Sequence, residues 1–174
     1  MEYEFTLKYK LANYPADSNQ LVERLAKAGC DDALIGTGQK GRIALNFTRE
    51  APSAKEAIFS AMANVKSAIP DAELIEVTPD YVGLSDVAEL LGVTRQNVRK
   101  LMVSHPLNFP APVHEGSAAI WHLATLLDWL VSRAGYEIEQ QFRDIARITM
   151  QINLAKESAL VEEPLSREVK SLVA

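Results

Sequence analysis

Hydrophobic and polar residues alternate at the start of the chain and later recur at helical spacing. In residues 2–11 every second residue is apolar, and this period of two predicts a half-buried strand. Apolar positions in residues 17–28 and 53–68 follow the helical period, which predicts two amphipathic helices. Shorter apolar runs between and after these helices predict three further strands, at residues 32–37, 42–48 and 72–77.

The ends of the two helices carry matching signals. Asp17 or Ser18 can cap the first helix, whereas Ser53 can cap the second and Pro70 stops it. The resulting order of strand, helix, strand, strand, helix, strand is that of a ferredoxin-like βαββαβ sandwich. We therefore expect an α+β chain whose first domain spans residues 1–79, for regulation or assembly. This fold supports many functions and by itself indicates none.

Residues 84–102 have the pattern of two short helices joined by a tight turn. Ser85 can cap the first helix, Gly92 can end it in the left-handed conformation, and Thr94 can cap the second. The apolar residues of both helices fall on faces that can pack together, namely Val87, Ala88, Leu90, Leu91, Val98, Leu101 and Met102.

The second of these helices has a polar outer face. That face carries Arg95, Gln96, Asn97, Arg99 and Lys100. Such side chains can reach base edges and phosphates in the major groove of DNA. No acidic residue occurs in residues 90–114, so the local field is positive although the chain has a net charge of −5. The alternative is a helical hairpin buried in a core, but the agreement of turn, packing face and polar face favours DNA binding.

The segment after these helices predicts a hairpin and a third helix. Prolines in residues 106–112 end the second helix and force an extended path. A turn at residues 115–118 precedes a short strand at 119–121, so we expect a small β-hairpin, called here the wing (residues 113–121). A helix should follow from His122 to about Arg133, with leucines along one face.

Four parts of this region together resemble one known family. They are residues 84–95, the Phe-Pro-x-Pro segment at 109–113, Trp121 and the Asp-Trp-Leu at 128–130. They are similar to the winged-helix DNA-binding domain of the excisionase-like/MerR-like superfamily. The resemblance implies a winged helix-turn-helix domain at residues 80–134 that binds double-stranded DNA. Where wings of this family often carry Arg or Lys, this chain has His114 and Glu115. The DNA-contacting residues that we expect are Thr94, Arg95, Gln96, Asn97, Arg99, Lys100, His114 and Ser117.

A long amphipathic helix is predicted at residues 135–160. Its apolar residues recur at alternating spacings of four and three, which is the seam of a coiled coil. The seam either packs on its own chain or pairs with a second copy, and we favour a homodimer. The side chains expected to form that interface are Ile138, Phe142, Ile145 and Ile152. The tail, residues 161–174, contains Pro164 and is expected to fray or to form a short protein-binding arm.

The composition of the chain indicates the cellular compartment and the kinds of site to expect. The 174 residues include a single cysteine, Cys30, so an internal disulfide and a cysteine metal cluster are excluded and a reducing cytoplasm is expected. No segment is apolar enough to predict a membrane span, and we expect neither a metal nor a cofactor. Gly36-Thr-Gly-Gln-Lys-Gly41 has the letters of a dinucleotide fingerprint, but it leads from strand to strand, which favours a hairpin loop.

The function that these patterns favour is sequence-specific, non-enzymatic DNA binding by a homodimeric transcriptional regulator, a repressor. One alternative is a DNA-bending accessory factor of recombination. Another is an antitoxin-like regulator that binds a protein partner through residues 1–79 or the tail. An enzyme built on residues 1–80 would need a polar cluster in a pocket, and the acids of this stretch are scattered with no histidine among them.

Overall fold

The computed structural model describes residues 1–13 and 18–173, which form a mixed α+β fold with seven helices and six strands. Asp17, one of the two candidate caps of the first helix, lies outside these residues. The described chain contains no helix that is long and apolar enough to cross a membrane.

The first half of the chain forms a four-stranded antiparallel sheet covered by two helices. The strand order across the sheet is β2-β3-β1-β4. The strands are β1 (Glu2–Lys10), β2 (Ala33–Gly36), β3 (Arg42–Glu50) and β4 (Glu73–Thr78). The helices are α1 (Ser18–Lys27) and α2 (Ala54–Ala68). All six elements were predicted, with bounds that differ by one or two residues.

The alternation in β1 places its apolar residues in a first core with α1 and α2. Leu21 and Leu25 of α1 are buried there, and the Ser53 hydroxyl caps α2 by accepting a hydrogen bond from the Glu56 N–H. Val22, the third apolar residue of α1, is instead partly exposed, because it lies off the axis of the buried stripe. Gly41, at φ +79°, lies in the β2–β3 hairpin, which confirms the loop interpretation of the glycine motif.

The second half of the chain forms a mainly helical unit around a second core. Its elements are β5 (Tyr81–Val82), α3 (Leu84–Leu90), α4 (Arg95–Ser104), β6 (Trp121–His122) and α5 (Leu123–Arg133). The predicted second strand of the wing pairs mainly elsewhere: β6 is antiparallel to β5, and the wing itself closes through a single bridge between His114 and Ile120. The two-residue β5 was not predicted, because so short a strand carries no periodicity.

Two helices complete the chain, α6 (Gln140–Ser158) and α7 (Glu163–Val173). The long helix was predicted from residue 135, but α6 starts five residues later. Gly135, at φ +73°, ends α5 in the left-handed conformation, and Tyr136 N–H donates back to the Leu130 carbonyl at 3.1 Å. The chain then runs without helix to Glu139.

α6 lies between the two cores and belongs to both. Ile145 is 2% exposed and forms part of the first core, where Ile152 also packs. Ile138 and Phe142 pack on the second core. Ile145 is therefore covered by its own chain, and the other three side chains are partly buried by it. The stripe packs within the chain, and its pairing with a second copy stays a prediction. An apolar stripe with this period serves equally well for packing within a chain or between two chains, so the sequence could not separate the two cases.

Candidate nucleic-acid interface

The α3–α4 pair is held at a tight turn by three local features. Gly92, at φ +63°, adopts the left-handed conformation, and Val93 N–H donates to the Ala88 carbonyl at 2.9 Å. The Thr94 hydroxyl caps α4 by accepting from the Asn97 N–H at 3.2 Å, as predicted. These contacts fix the angle at which α4 leaves the turn.

The predicted cap of α3, Ser85, is corrected by two residues. Gly83 is the N-cap, and its N–H donates to the Asp86 carboxylate at 2.7 Å. Ser85 is exposed inside the first turn. Leu90, predicted on the packing face, is 41% exposed, because α3 packs through Val87 and Ala88.

α4 buries one side and leaves the other open. Val98 lies in the second core, with Leu101 and Met102 packed against it. The polar residues predicted for the outer face are all exposed: Arg95, Gln96, Asn97, Arg99 and Lys100. The structure thus brings this set together on one helix surface, which is called here the outer face of α4.

The cations of this outer face have no charged partner. Arg95, Arg99 and Lys100 make no ion pair and no side-chain hydrogen bond with any residue in 1–13 or 18–173. By contrast, Arg143 and Arg147 of α6 both pair with Asp128, at 3.4 and 3.3 Å. Unpaired cations on a helix with no nearby acid in sequence leave a positive surface that a polyanion can neutralise.

The wing stands beside α4 and is anchored by aromatic rings. Val113 N–H donates to the Ile120 carbonyl at 2.8 Å, and Ile120 N–H donates to the His114 carbonyl at 3.0 Å. The Trp121 indole N–H donates to the Pro110 carbonyl at 2.9 Å, and the Phe109 ring packs edge-on to it. His114, Glu115 and Ser117, which include both predicted wing contacts, are exposed at the tip.

A cleft of about 830 Å³ separates α4 from the wing. Its lining includes Arg95 and Arg99 of α4, Glu115 and Ser117 of the wing, and Asp86 of α3. The cleft therefore combines two cations of α4 with carboxylates of the wing and of α3. The remaining outer-face residues, Gln96, Asn97 and Lys100, line a separate shallow groove with Arg99.

One residue of this surface was not predicted. Val103 is 65% exposed and lines the shallow groove together with Arg99 and Lys100. The signal was present in the sequence, because Val103 lies three residues after Lys100 and seven after Gln96, which places all three on one helix face.

A buried polar pair near the interface was also missed. Asp80 and His122 are buried, with His122 Nδ1 2.7 Å from Asp80 Oδ1. The Asn153 amide of α6 donates to the other carboxylate oxygen at 2.8 Å, and the Leu123 N–H at the start of α5 donates to the Asp80 carbonyl at 2.7 Å. This cluster ties β5, α5 and α6 together and supports the unit that carries α4.

Other ionisable side chains that could carry out chemistry, those of Asp32, Cys30 and His105, make structural contacts or are buried. Asp32 accepts a bidentate salt bridge from the Arg49 guanidinium, with N–O distances of 2.7 and 2.8 Å. Cys30 is buried, and burial, more than the nearby acids, raises the pKa of its thiol to about 11. His105 Nδ1 lies 2.9 Å from the Leu101 carbonyl, and its ring packs on Trp129. In the described parts of the chain, no three His, Cys, Asp or Glu side chains are placed to hold a metal ion.

Comparisons with known proteins add no relative: no protein-family model matches the sequence, no curated protein matches it, and no solved structure matches the fold. The function therefore has to be argued from the surface itself.

Proposed function

We propose that this chain is a sequence-specific regulator that binds double-stranded DNA through a winged helix-turn-helix domain similar to those of the excisionase-like/MerR-like superfamily. The observation that carries the proposal is the outer face of α4. Its three cations are exposed and unpaired within the described chain, next to amide side chains that can read base edges. Because the protein as a whole is acidic, a complex docked through the outer face of α4 is favoured over loose contact with DNA.

In this proposal α4 is the recognition helix and enters the major groove. Gln96 and Lys100 face the bases, since helical spacing places them nearly opposite the buried Val98, and Asn97 lies beside them in the same shallow groove. Arg95 and Arg99 line the cleft toward the wing and reach the phosphate backbone that passes between the two.

For residues 1–79 we propose a ferredoxin-like domain that regulates or assembles the DNA-binding unit. The strand order β2-β3-β1-β4, with two helices in the crossovers, supports this assignment. Because α6 packs in both cores, a change in the first domain has a direct route to the second.

Selection of bound sites from random duplex DNA tests the proposal. We expect a defined sequence to emerge and to be bound at least a thousandfold more tightly than random duplex, on the order of a specific regulator. If no sequence is enriched and the protein binds no duplex at physiological salt, the proposal is wrong. Circular-permutation gel shifts on the selected site then distinguish a simple regulator from a DNA-bending accessory factor, which would show a large bend.

A second candidate function, protein binding in the manner of an antitoxin, is favoured by α7. This helix is amphipathic and none of its residues is buried, so the apolar side chains of Leu165, Val169 and Leu172 lie exposed on one helix. A stoichiometric partner that co-purifies with the wild type, and not with a Leu165→Glu, Leu172→Glu variant, would support it. A homodimer could also use α7 in place of the partly buried stripe of α6. Sedimentation of the same two proteins tests α7 as that surface.

A further inference from the structure

Val103 is an apolar residue in a polar setting. It is 65% exposed on the outer face of α4, whereas the other valines of the α3–α4 pair, Val87 and Val98, are 2% exposed. It therefore contributes nothing to the second core. Its neighbours on the helix surface are Gln96, Arg99 and Lys100, at seven, four and three residues before it, and all four line the same shallow groove.

The chemistry of these neighbours indicates what would cover Val103. Two unpaired cations and an amide favour a polyanion that also presents hydrogen-bonding edges, which describes the major groove of DNA. Among the groups that base pairs display there, the one apolar group is the 5-methyl group of thymine. An isopropyl side chain at the C-terminal end of this face, in the last turn of α4, thus has a single complementary partner on unmodified DNA.

We propose that Val103 determines specificity by contacting a thymine methyl group in the bound site. This proposal rests on the proposed function, since it names a base that α4 reads. Valine suits the role because its β-branched side chain is held in one main rotamer within a helix. The methyl groups are therefore presented without the entropy loss that a longer apolar side chain would suffer on binding.

A cycle of protein and DNA substitutions tests the contact. The probe is the duplex selected by the wild type, with each thymine replaced in turn by deoxyuridine, which lacks only the 5-methyl group. We expect one or two replacements to weaken wild-type binding about fourfold, the equivalent of about 0.8 kcal/mol for one buried methyl-sized group. In Val103→Ala the same replacements should have no effect, while replacements elsewhere in the site behave as in the wild type.

The matched control is Leu34→Ala, which shortens another exposed apolar side chain, on β2. Leu34 is 78% exposed, and this variant should keep the wild-type response to deoxyuridine. Equal urea unfolding curves for the wild type and Val103→Ala would show that the fold is kept. If no deoxyuridine weakens wild-type binding, or if Val103→Ala keeps the wild-type response, the inference is overturned while specific DNA binding stands. Failure to select any duplex would instead remove the proposed function.

Discussion

The Asn153 side chain supplies both hydrogen bonds that the Val77 backbone lacks within the sheet. Val77 N–H donates to Asn153 Oδ1 at 2.9 Å, and Asn153 Nδ2 donates to the Val77 carbonyl at 2.8 Å. β4 is an edge strand with a neighbour on one side only. α6 covers its open edge, and Lys156 and Thr149 extend the contact by donating to the carbonyls of Ile75 and Pro79. The edge is thereby closed to pairing with another strand.

We predict that Asn153→Ala lowers the free energy of unfolding by about 3 kcal/mol or more. It leaves the Val77 N–H, the Val77 carbonyl and one Asp80 oxygen without these partners, at about 1–3 kcal/mol each. Urea unfolding measures this loss. Asn46→Ala, which removes an exposed asparagine from β3, should change stability by about 0.5 kcal/mol or less. Equal effects of the two substitutions would show that Asn153 does not close the edge.

The second prediction concerns the buried stripe of α6. Ile145→Glu should destabilise the fold by about 4 kcal/mol or more, because it removes an apolar group from the first core and buries a charge there. Leu165→Glu, at a residue 53% exposed on α7, should leave stability within about 0.5 kcal/mol. A stable Ile145→Glu protein that sediments at half the wild-type mass would instead place the stripe between two copies.

The third prediction concerns the wing. Glu115 lines the same cleft as Arg95 and Arg99, so it would repel a phosphate backbone lying there. Glu115→Lys should strengthen binding to the selected duplex and steepen its salt dependence, by about 0.9 in the log–log slope for one added phosphate contact. Glu50→Lys makes the same charge change on β3 and should have a far smaller effect. Similar gains from both variants would mean that only net charge matters.

The fourth prediction follows from buried groups whose protons the folded state retains. Burial raises the pKa of Cys30 from 9.0 to about 11. Burial also raises the pKa of Tyr9 and of Tyr81 from 10.0 to about 12. The unfolded chain releases these protons first, so their contribution to stability is complete below pH 9 and is lost as pH rises toward 12.

Urea unfolding at several pH values checks this sign. Stability should fall between pH 9 and 11, and Cys30→Ala should fall less steeply over that interval. Folded protein at pH 8 should react slowly with iodoacetamide, since Cys30 is 1% exposed and mainly protonated. Rapid alkylation of the folded protein would contradict both the burial and the raised pKa.

Local chemistry predicted much of the fold. The alternation in β1, the cap at Thr94 and the left-handed Gly92 each depend on a few neighbouring residues, so the sequence carried them directly. Pro164 misled the interpretation of the tail, where it suggested fraying. It occupies the second position of α7, and the first turn of a helix tolerates proline because its N–H groups need no partner within the helix.

The remaining features depend on partners that are distant in sequence. Asn153 and His122 can be buried because they hydrogen-bond to Val77 and Asp80, which lie far away in sequence. No local sequence pattern predicts these hydrogen bonds. The outer face of α4 was predicted because helical spacing alone determines which residues share it. Whether that face binds DNA depends on a partner that the folded chain does not contain.

The most direct test compares two variants that lose the same charge. Arg99→Ala with Lys100→Ala removes two cations from the outer face of α4, and Lys40→Ala with Arg42→Ala removes two exposed cations from the β2–β3 hairpin. Their affinities for the selected duplex are measured at one salt concentration, with stability checked by urea unfolding. We predict a loss of about a hundredfold for the α4 variant, because it removes the base contact of Lys100, at about 1–3 kcal/mol, and the phosphate contact of Arg99. The hairpin variant should lose less than about threefold. Equal affinities for two folded variants would contradict the assignment of α4 as the DNA-binding surface.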